Sequence, residues 1–293
     1  MGSVLPETEA IIRHINQSEL VTFLRCRRKW NYGYVRGLES PGYQTNLETG
    51  SAVHAGLQAH YRGEDPFDAM TDYWTPWLHT LEDGNPQLEK DIKLSGIMME
   101  GYLEWLEETG NDAYLTPVAI EEKVEYLIRP DVTLHGTLDL VMRDQEGRLI
   151  LIDHKTTAAF GALTDRRLQM NFQLQTYAVL CEEFFGEAPA GAELNMLRKV
   201  QRTAASKPPF YMRESVKFNK FQLAAHRKTI DAILTDLFRV EREIALGNEA
   251  AAYPIVDGDC SWKCPFLSVC PMADDGSDID GALNDLYVRR DRS

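Results

Sequence analysis

No apolar run in this 293-residue chain approaches the about 20 residues needed to cross a bilayer. Its start, MGSVLPETEAIIRH, has neither the basic stretch nor the apolar core of a secretory signal. Both absences point to a cytoplasmic protein with no membrane partner. Basic residues are in deficit, 31 against 45 acidic, for a net charge of −14. That excludes an indiscriminate nucleic-acid coat, which must be basic. Cysteines number five, and the odd count is badly distributed for disulfides. Cys26 and Cys181 stand alone, while Cys260, Cys264 and Cys270 crowd together. In a reducing compartment such crowding suits a metal or cluster site. Internal repeats and long linkers are also missing. What is present, 44% hydrophobic and 26% charged residues, is the balance of a folded domain with a sizeable core.

The acidity is local. Residues 61–125 hold four basic and sixteen acidic residues, and read as helices with solvated acidic faces. Residues 1–40 and 161–230 are net positive. Ser18 is the expected cap of a helix through ELVTFLRCRRKW. Further helices are expected over Gly50–Tyr61 and Gln87–Glu108, with a break near Gly84-Asn85-Pro86. After Pro117 the apolar period changes from helical to alternating. VAIEEKVEYLI, TLHGTLDLVMR and RLILIDHKT read as consecutive strands, with Asp144–Gly147 as a hairpin turn. A helix over 167–185, strands at GAELNMLRKV and FYMRESVKF, and a helix over 221–246 follow. Residues 273–293 read as a loosely held polar tail.

Asp153 and Lys155 share one face of a strand that is otherwise apolar. Burying both costs several kcal/mol unless each has a partner. Asp139, across the hairpin, supplies a second carboxylate. Two neighbouring carboxylates repel unless a divalent cation neutralises them. Oxygen ligands of this kind suit Mg²⁺. Lys155 is then placed to orient or deprotonate a water for phosphodiester hydrolysis. Gln173 and Tyr177, four apart, share a helix face and can hold Lys155 or a phosphate oxygen. His54 is a further candidate ligand or phosphate contact. Glu121, on the preceding strand, is a further candidate for the site but reads more readily as a surface strand residue.

The ordered set GSAVH, GTLDLV, LIDHKTT and QLQTYA resembles the PD-(D/E)XK nuclease superfamily, and within it the RecB-like branch. Gly50 and His54, Gly136 and Asp139, Asp153 and Lys155, Gln173 and Tyr177 match its motifs in order. Leu138 replaces the proline that often precedes the first Asp. The resemblance implies an α/β, restriction-endonuclease-like fold: a central mixed sheet flanked by helices. It implies one nuclease domain over 1–272, with an acidic helical insertion at 61–112 and a C-terminal cysteine region. By resemblance, His54, Asp139, Asp153 and the main-chain carbonyl of His154 hold Mg²⁺ or Mn²⁺. Lys155 activates water, and Gln173 and Tyr177 position Lys155 and the backbone of DNA.

Three thiols in DCSWKCPFLSVCP suit a thiolate-bound metal. Iron–sulfur members of the branch have one Cys before the core and three after it. The resemblance therefore implies a [4Fe-4S] cluster on Cys26, Cys260, Cys264 and Cys270, with Zn²⁺ as the alternative. Cys181 reads as a buried structural thiol. Arg27, Arg28 and Lys29, followed by Trp30, Tyr32 and Tyr34, combine cations with stacking surfaces that suit single-stranded DNA. Arg198 and Lys199 begin a second basic run. The implied activity is a metal-dependent DNA exonuclease of recombination, repair or phage DNA processing, acting on single strands or free ends. A non-catalytic DNA-binding adaptor and an endonuclease with a zinc site are the alternatives. No Walker A sequence is present, so a partner helicase or recombination protein would be a separate chain.

Overall fold

The structure, a computed structural model, describes residues 12–42, 44–79, 85–161, 165–256, 258–261 and 264–290. The chain start and Gly84 lie outside the described residues, while Asn85, at the expected break, caps the helix that Pro86 opens. The early elements are β1 (Arg13–Asn16), α1 (Gln17–Arg25), α2 (Arg27–Trp30), β2 (Leu38–Glu39), α3 (Thr45–Arg62), α4 (Pro66–Trp74) and α5 (Pro86–Thr109). β3 (Thr116–Arg129), β4 (Val132–Arg143), β5 (Leu149–Thr157), α6 (Asp165–Gln169), α7 (Phe172–Phe185), β6 (Gly191–Arg198) and β7 (Tyr211–Val216) follow. α8 (Lys220–Ala245), α9 (Ile279–Leu286) and β8 (Val288–Arg289) come last. Among the described residues no helix is long and apolar enough to cross a membrane.

Strand pairing gives a mixed sheet. Its path is β1-β4-β5-β6-β7, with β3 also paired to β4. The β1–β4 and β5–β6 pairs are parallel; β4–β5 and β6–β7 are antiparallel. Leu149, Leu151 and Ile152 of β5 are buried, as a continuous apolar run in a central strand requires.

The chain divides into two compact units, each assembled from separated stretches that linear boundaries do not express. One comprises residues 1–42, 125–135 and 224–293. Here α1 is capped by Asn16, not Ser18: the Asn16 side chain accepts from the Glu19 N–H at 2.8 Å. The expected continuous helix breaks at Cys26, whose extended backbone (φ −158°) restarts the chain as α2. Residues 273–290 are not a loose tail. α9 and β8 fold back, β8 pairs with β2, and Leu283 and Tyr287 join Tyr32, Leu38, Phe266 and Val269 in a buried cluster.

The other unit comprises residues 43–124 and 136–223. Its core packs Val53 and Leu57 of α3 against Met70 of α4, Met98, Met99 and Tyr102 of α5, Leu197 of β6 and Tyr211 of β7. The acidic segment thus buries one apolar face of each helix and leaves most of its charges outside, Asp91, buried and bonded by Gln87 at 2.8 Å, being an exception. The helix expected over 167–185 is two pieces. Asn171 separates them and caps α7 through the Leu174 N–H at 3.0 Å.

Candidate metal and catalytic centre

Two glycines bring the functional elements together. A Cβ on Gly50 would stand 3.0 Å from Thr156 Oγ1, so its absence lets α3 approach β5. His54, one turn on, shares that face. A Cβ on Gly136 would meet Leu180 Cδ1 at 2.9 Å and Tyr177 Cε1 at 3.2 Å. Glycine there lets α7 lie close over β4. The G-x-x-x-H and G-x-x-D spacings are therefore packing requirements as well as ligand spacings.

His54 Nδ1 lies 3.6 Å from Glu121 Oε1 and 3.9 Å from Asp139 Oδ2. One ligand atom from each of the three falls within 4.8 Å of the others. Asp139 Oδ2 also accepts the main-chain N–H of His154 at 2.8 Å. Glu121 is the residue that the alternation assigned to the surface. Its backbone has φ 49°, the one non-glycine positive φ among the described residues. Ala119 and Val124, five apart, are both buried, so the two-residue phase of β3 slips between them. That slip turns Glu121 toward His54. A period-2 reading cannot see it.

Asp153 is buried beside this group. Its Oδ1 accepts from Lys155 Nζ and Gln173 Nε2, both at 3.2 Å. Its Oδ2 lies 3.1 Å from the same ammonium, outside hydrogen-bond geometry. Gln173 also bonds the Tyr177 hydroxyl. Asp153 is therefore not one of the tight trio; it is engaged with Lys155 and Gln173. Burial, followed by the neighbouring Asp153, pushes the Asp139 carboxyl up to about 7. Burial also raises Asp153. Lys155 is pulled down by burial, but Asp153 and Asp139 outweigh that and hold its pKa above the usual lysine value.

An open cleft of about 610 Å³ meets this centre. Its lining includes Gly50, His54, Glu121, His154, Lys155 and Lys199. One imidazole and two carboxylates, with the buried Asp153 oxygen alongside, form a donor set that fits a hard divalent cation.

Residues 14–271 match the model of the PD-(D/E)XK nuclease superfamily. The chain belongs to this superfamily. Two solved structures are similar. One, named SSO0001, is 16% identical, with 92% of this chain and 89% of that chain covered and a TM-score of 0.40. The other, from Eubacterium rectale and named "Putative exonuclease", is 11% identical, with 84% and 88% covered and a TM-score of 0.50. The second supports the fold. No curated protein matches.

In this superfamily member Cys26, Cys260, Cys264 and Cys270 lie apart from the nuclease motifs in sequence, yet three of them line one cavity. Cys26, Cys260 and Cys264 line a small cavity of about 70 Å³ with Lys29 and Ile255. Cys270 lies against Arg28, its Sγ 3.7 Å from Nη1. Cys181 is fully buried, and burial pushes its thiol up to about 12, which suits an inert core residue.

The first basic run is not laid out for stacking. Trp30 and Tyr32 are buried. Arg27 pairs with Asp236 and lies over the Phe23 and Tyr253 rings. Arg28 makes a two-pronged contact with Asp274 at 2.8 and 2.9 Å. Trp30 and Tyr32 fill the core, Arg28 braces the segment around Cys270, and Arg27 is held by α8 and by the Phe23 and Tyr253 rings. Arg198 Nη1 donates to the carbonyls of Lys207 and Pro209 at 3.1 and 3.2 Å. Lys199, half-buried, lines the cleft that meets the His54, Glu121 and Asp139 centre.

Proposed function

We propose that this chain is a Mg²⁺- or Mn²⁺-dependent DNA exonuclease that acts in DNA recombination, repair or phage DNA processing. The observation that carries the reading is the convergence of His54, Glu121 and Asp139 beside the Asp153–Lys155 pair. His54, Asp139 and Glu121 hold the cation, with Asp153 and the His154 carbonyl adjacent. When bound, the cation polarises a phosphate oxygen and lowers the pKa of a water. Lys155, a cation as it stands, orients that water and stabilises charge on the phosphate. Gln173 and Tyr177 hold Asp153 and Lys155 in place. Lys199 faces an incoming phosphate from the cleft wall. Exonuclease action, rather than internal cleavage, rests on the RecB-like motif set. No base-reading element stands out, so the backbone is the main contact.

The same reading includes a structural [4Fe-4S] cluster on Cys26, Cys260, Cys264 and Cys270. Cys26, Cys260 and Cys264 line one cavity. The choice of cluster over Zn²⁺ rests on the RecB-like order of one Cys before the core and three after it. Four thiolates leave no open position, so its role is to tie residue 26 to the 260–270 loop.

End-labelled single- and double-stranded DNA, with Mg²⁺, Mn²⁺ or EDTA, tests the activity. Release of short products from ends, abolished by EDTA, Asp153→Ala and Lys155→Ala, is expected. No metal-dependent cleavage defeats the enzyme reading. Anaerobically purified protein lacking iron and broad visible absorption defeats the cluster.

A further inference from the structure

His154 stands opposite Asn195 in the parallel β5–β6 pair. Its Nδ1 lies 2.8 Å from the Asn195 Nδ2. The orientation of that amide follows from Arg213, which can only donate. Arg213 Nε points at the other amide atom at 3.3 Å, so that atom is the oxygen. Arg213 is itself held by Asp112 and by the Tyr102 hydroxyl at 2.9 Å. The Asn195 NH₂ therefore faces Tyr102 Oη, at 2.9 Å, and His154 Nδ1. Nδ1 accepts, and in the neutral ring the proton must sit on Nε2. Nε2 is buried with no hydrogen-bond partner. Tyr61 stacks on the ring at 5.7 Å and 15° and fixes its plane. Tyr61 is in turn bonded to Asp112 at 2.8 Å and Tyr102 at 2.9 Å.

The His154 and His54 rings are 6.1 Å apart. Two imidazoles at that separation can share one ion at about 2.0–2.1 Å per nitrogen. A second imidazole ligand beside His54 would favour zinc, copper or nickel over magnesium and manganese. We propose that Arg213 and Asn195 are positioning residues for metal selectivity. By holding His154 in its Nε2–H form they occupy both ring nitrogens and keep the ring out of the ligand set. What remains is an oxygen-rich centre with a single imidazole. This rests on the metal-centre reading above.

The test begins with metal-free protein labelled with ¹⁵N at histidine. Two-bond ¹H–¹⁵N correlations identify which ring nitrogen of His154 carries hydrogen, and Nε2–H is expected. Asn195→Asp then replaces the donor with an acceptor of the same shape. The ring should flip to Nδ1–H and free Nε2, giving the carboxylate–histidine arrangement of zinc sites. Calorimetric Zn²⁺ affinity should rise by about tenfold or more, while Mn²⁺ affinity, followed by electron paramagnetic resonance, changes by less than about threefold. His154→Phe should leave Zn²⁺ affinity within about threefold of wild type, because the ring is not a ligand.

The failures are separable. Wild type that binds no Mn²⁺ overturns the metal centre itself. Wild type that binds Mn²⁺ but shows Nδ1–H overturns the lock, with no variant needed. A flipped ring in Asn195→Asp with an unchanged Zn²⁺ to Mn²⁺ ratio overturns the selectivity role. So does a tenfold loss of Zn²⁺ affinity in His154→Phe.

Discussion

Gly50 lies so close to Thr156 that an added Cβ would sit 3.0 Å from its Oγ1. The effect of Gly50→Ala on stability has two opposed parts. Alanine in a helix interior gains about 1 kcal/mol over glycine. Crowding against a short, β-branched neighbour costs a similar amount. The melting temperature should therefore barely move. The cost appears at His54, one turn away on the same face, which shifts by tenths of an ångström. Cleavage should fall by about tenfold or more, since small misplacements at a reacting centre are expensive. Thr156→Ala removes the obstruction, so the double variant should recover most of the loss in a double-mutant cycle. Strict additivity in that cycle would show that the contact does not position His54.

Glu121 offers a second opposition of sign. Its left-handed backbone costs about 1 kcal/mol that glycine would not incur. Glu121→Gly should raise or preserve the unfolding free energy in urea. It should also lower Mn²⁺ affinity by about tenfold or more, because a carboxylate leaves the trio. Glu121→Gln keeps the strain and loses the charge, so it should lose affinity without gaining stability. Unchanged Mn²⁺ binding in both variants would return Glu121 to the surface role that strand alternation assigns it.

These residues mark how far the sequence could be read. Local signals located the strands, the 144–147 turn and the faces carrying Asp153, Lys155, Gln173 and Tyr177. They worked because period and charge conflict there with burial: an Asp and a Lys end an apolar strand. Glu121 escaped because a single positive φ shifts the phase of β3, and no residue type announces it. Arg27 and Arg28 have partners that the sequence does not announce, because Asp236 and Asp274 are more than 200 positions away. A run of cations looks the same whether it meets phosphate or distant carboxylates. The end of the chain misled for a related reason. Its polar composition hides Leu283 and Tyr287, two apolar anchors among many acids.

Tyr287 does more than fill space. Its hydroxyl donates to the Pro265 carbonyl at 2.7 Å, inside the loop between Cys264 and Cys270. Tyr287→Phe keeps the ring against Phe266 and removes only that bond. The expected loss of stability is about 1 kcal/mol. If the loop carries the cluster, iron retention during aerobic dialysis should fall in the variant while the secondary structure stays intact. Equal iron loss from variant and parent would separate the tail from the cysteine site.

His226 sets an acid limit on the unit that holds it. It lies buried on α8, and burial, reinforced by Arg227, lowers its pKa from 6.5 to about 4. An unfolded chain takes up a proton at this residue as pH falls through about 6.5, while the folded chain resists until about 4. The stability linked to His226 is therefore fully present above pH 6.5. It is lost progressively down to about pH 4 and changes no further below that. Over the whole window the loss is on the order of 3 kcal/mol. Between pH 7.5 and pH 5 it should be about 2 kcal/mol. His226→Gln keeps a neutral polar side chain of similar reach and cannot take up the proton. Urea unfolding at those two pH values should show the variant losing less stability than wild type by that margin. Other buried histidines titrate in both proteins and cancel in the comparison. Equal pH slopes for the two proteins would mean that the folded chain protonates His226 as readily as the unfolded one, and that its burial is relieved by local opening of α8 before the unit unfolds.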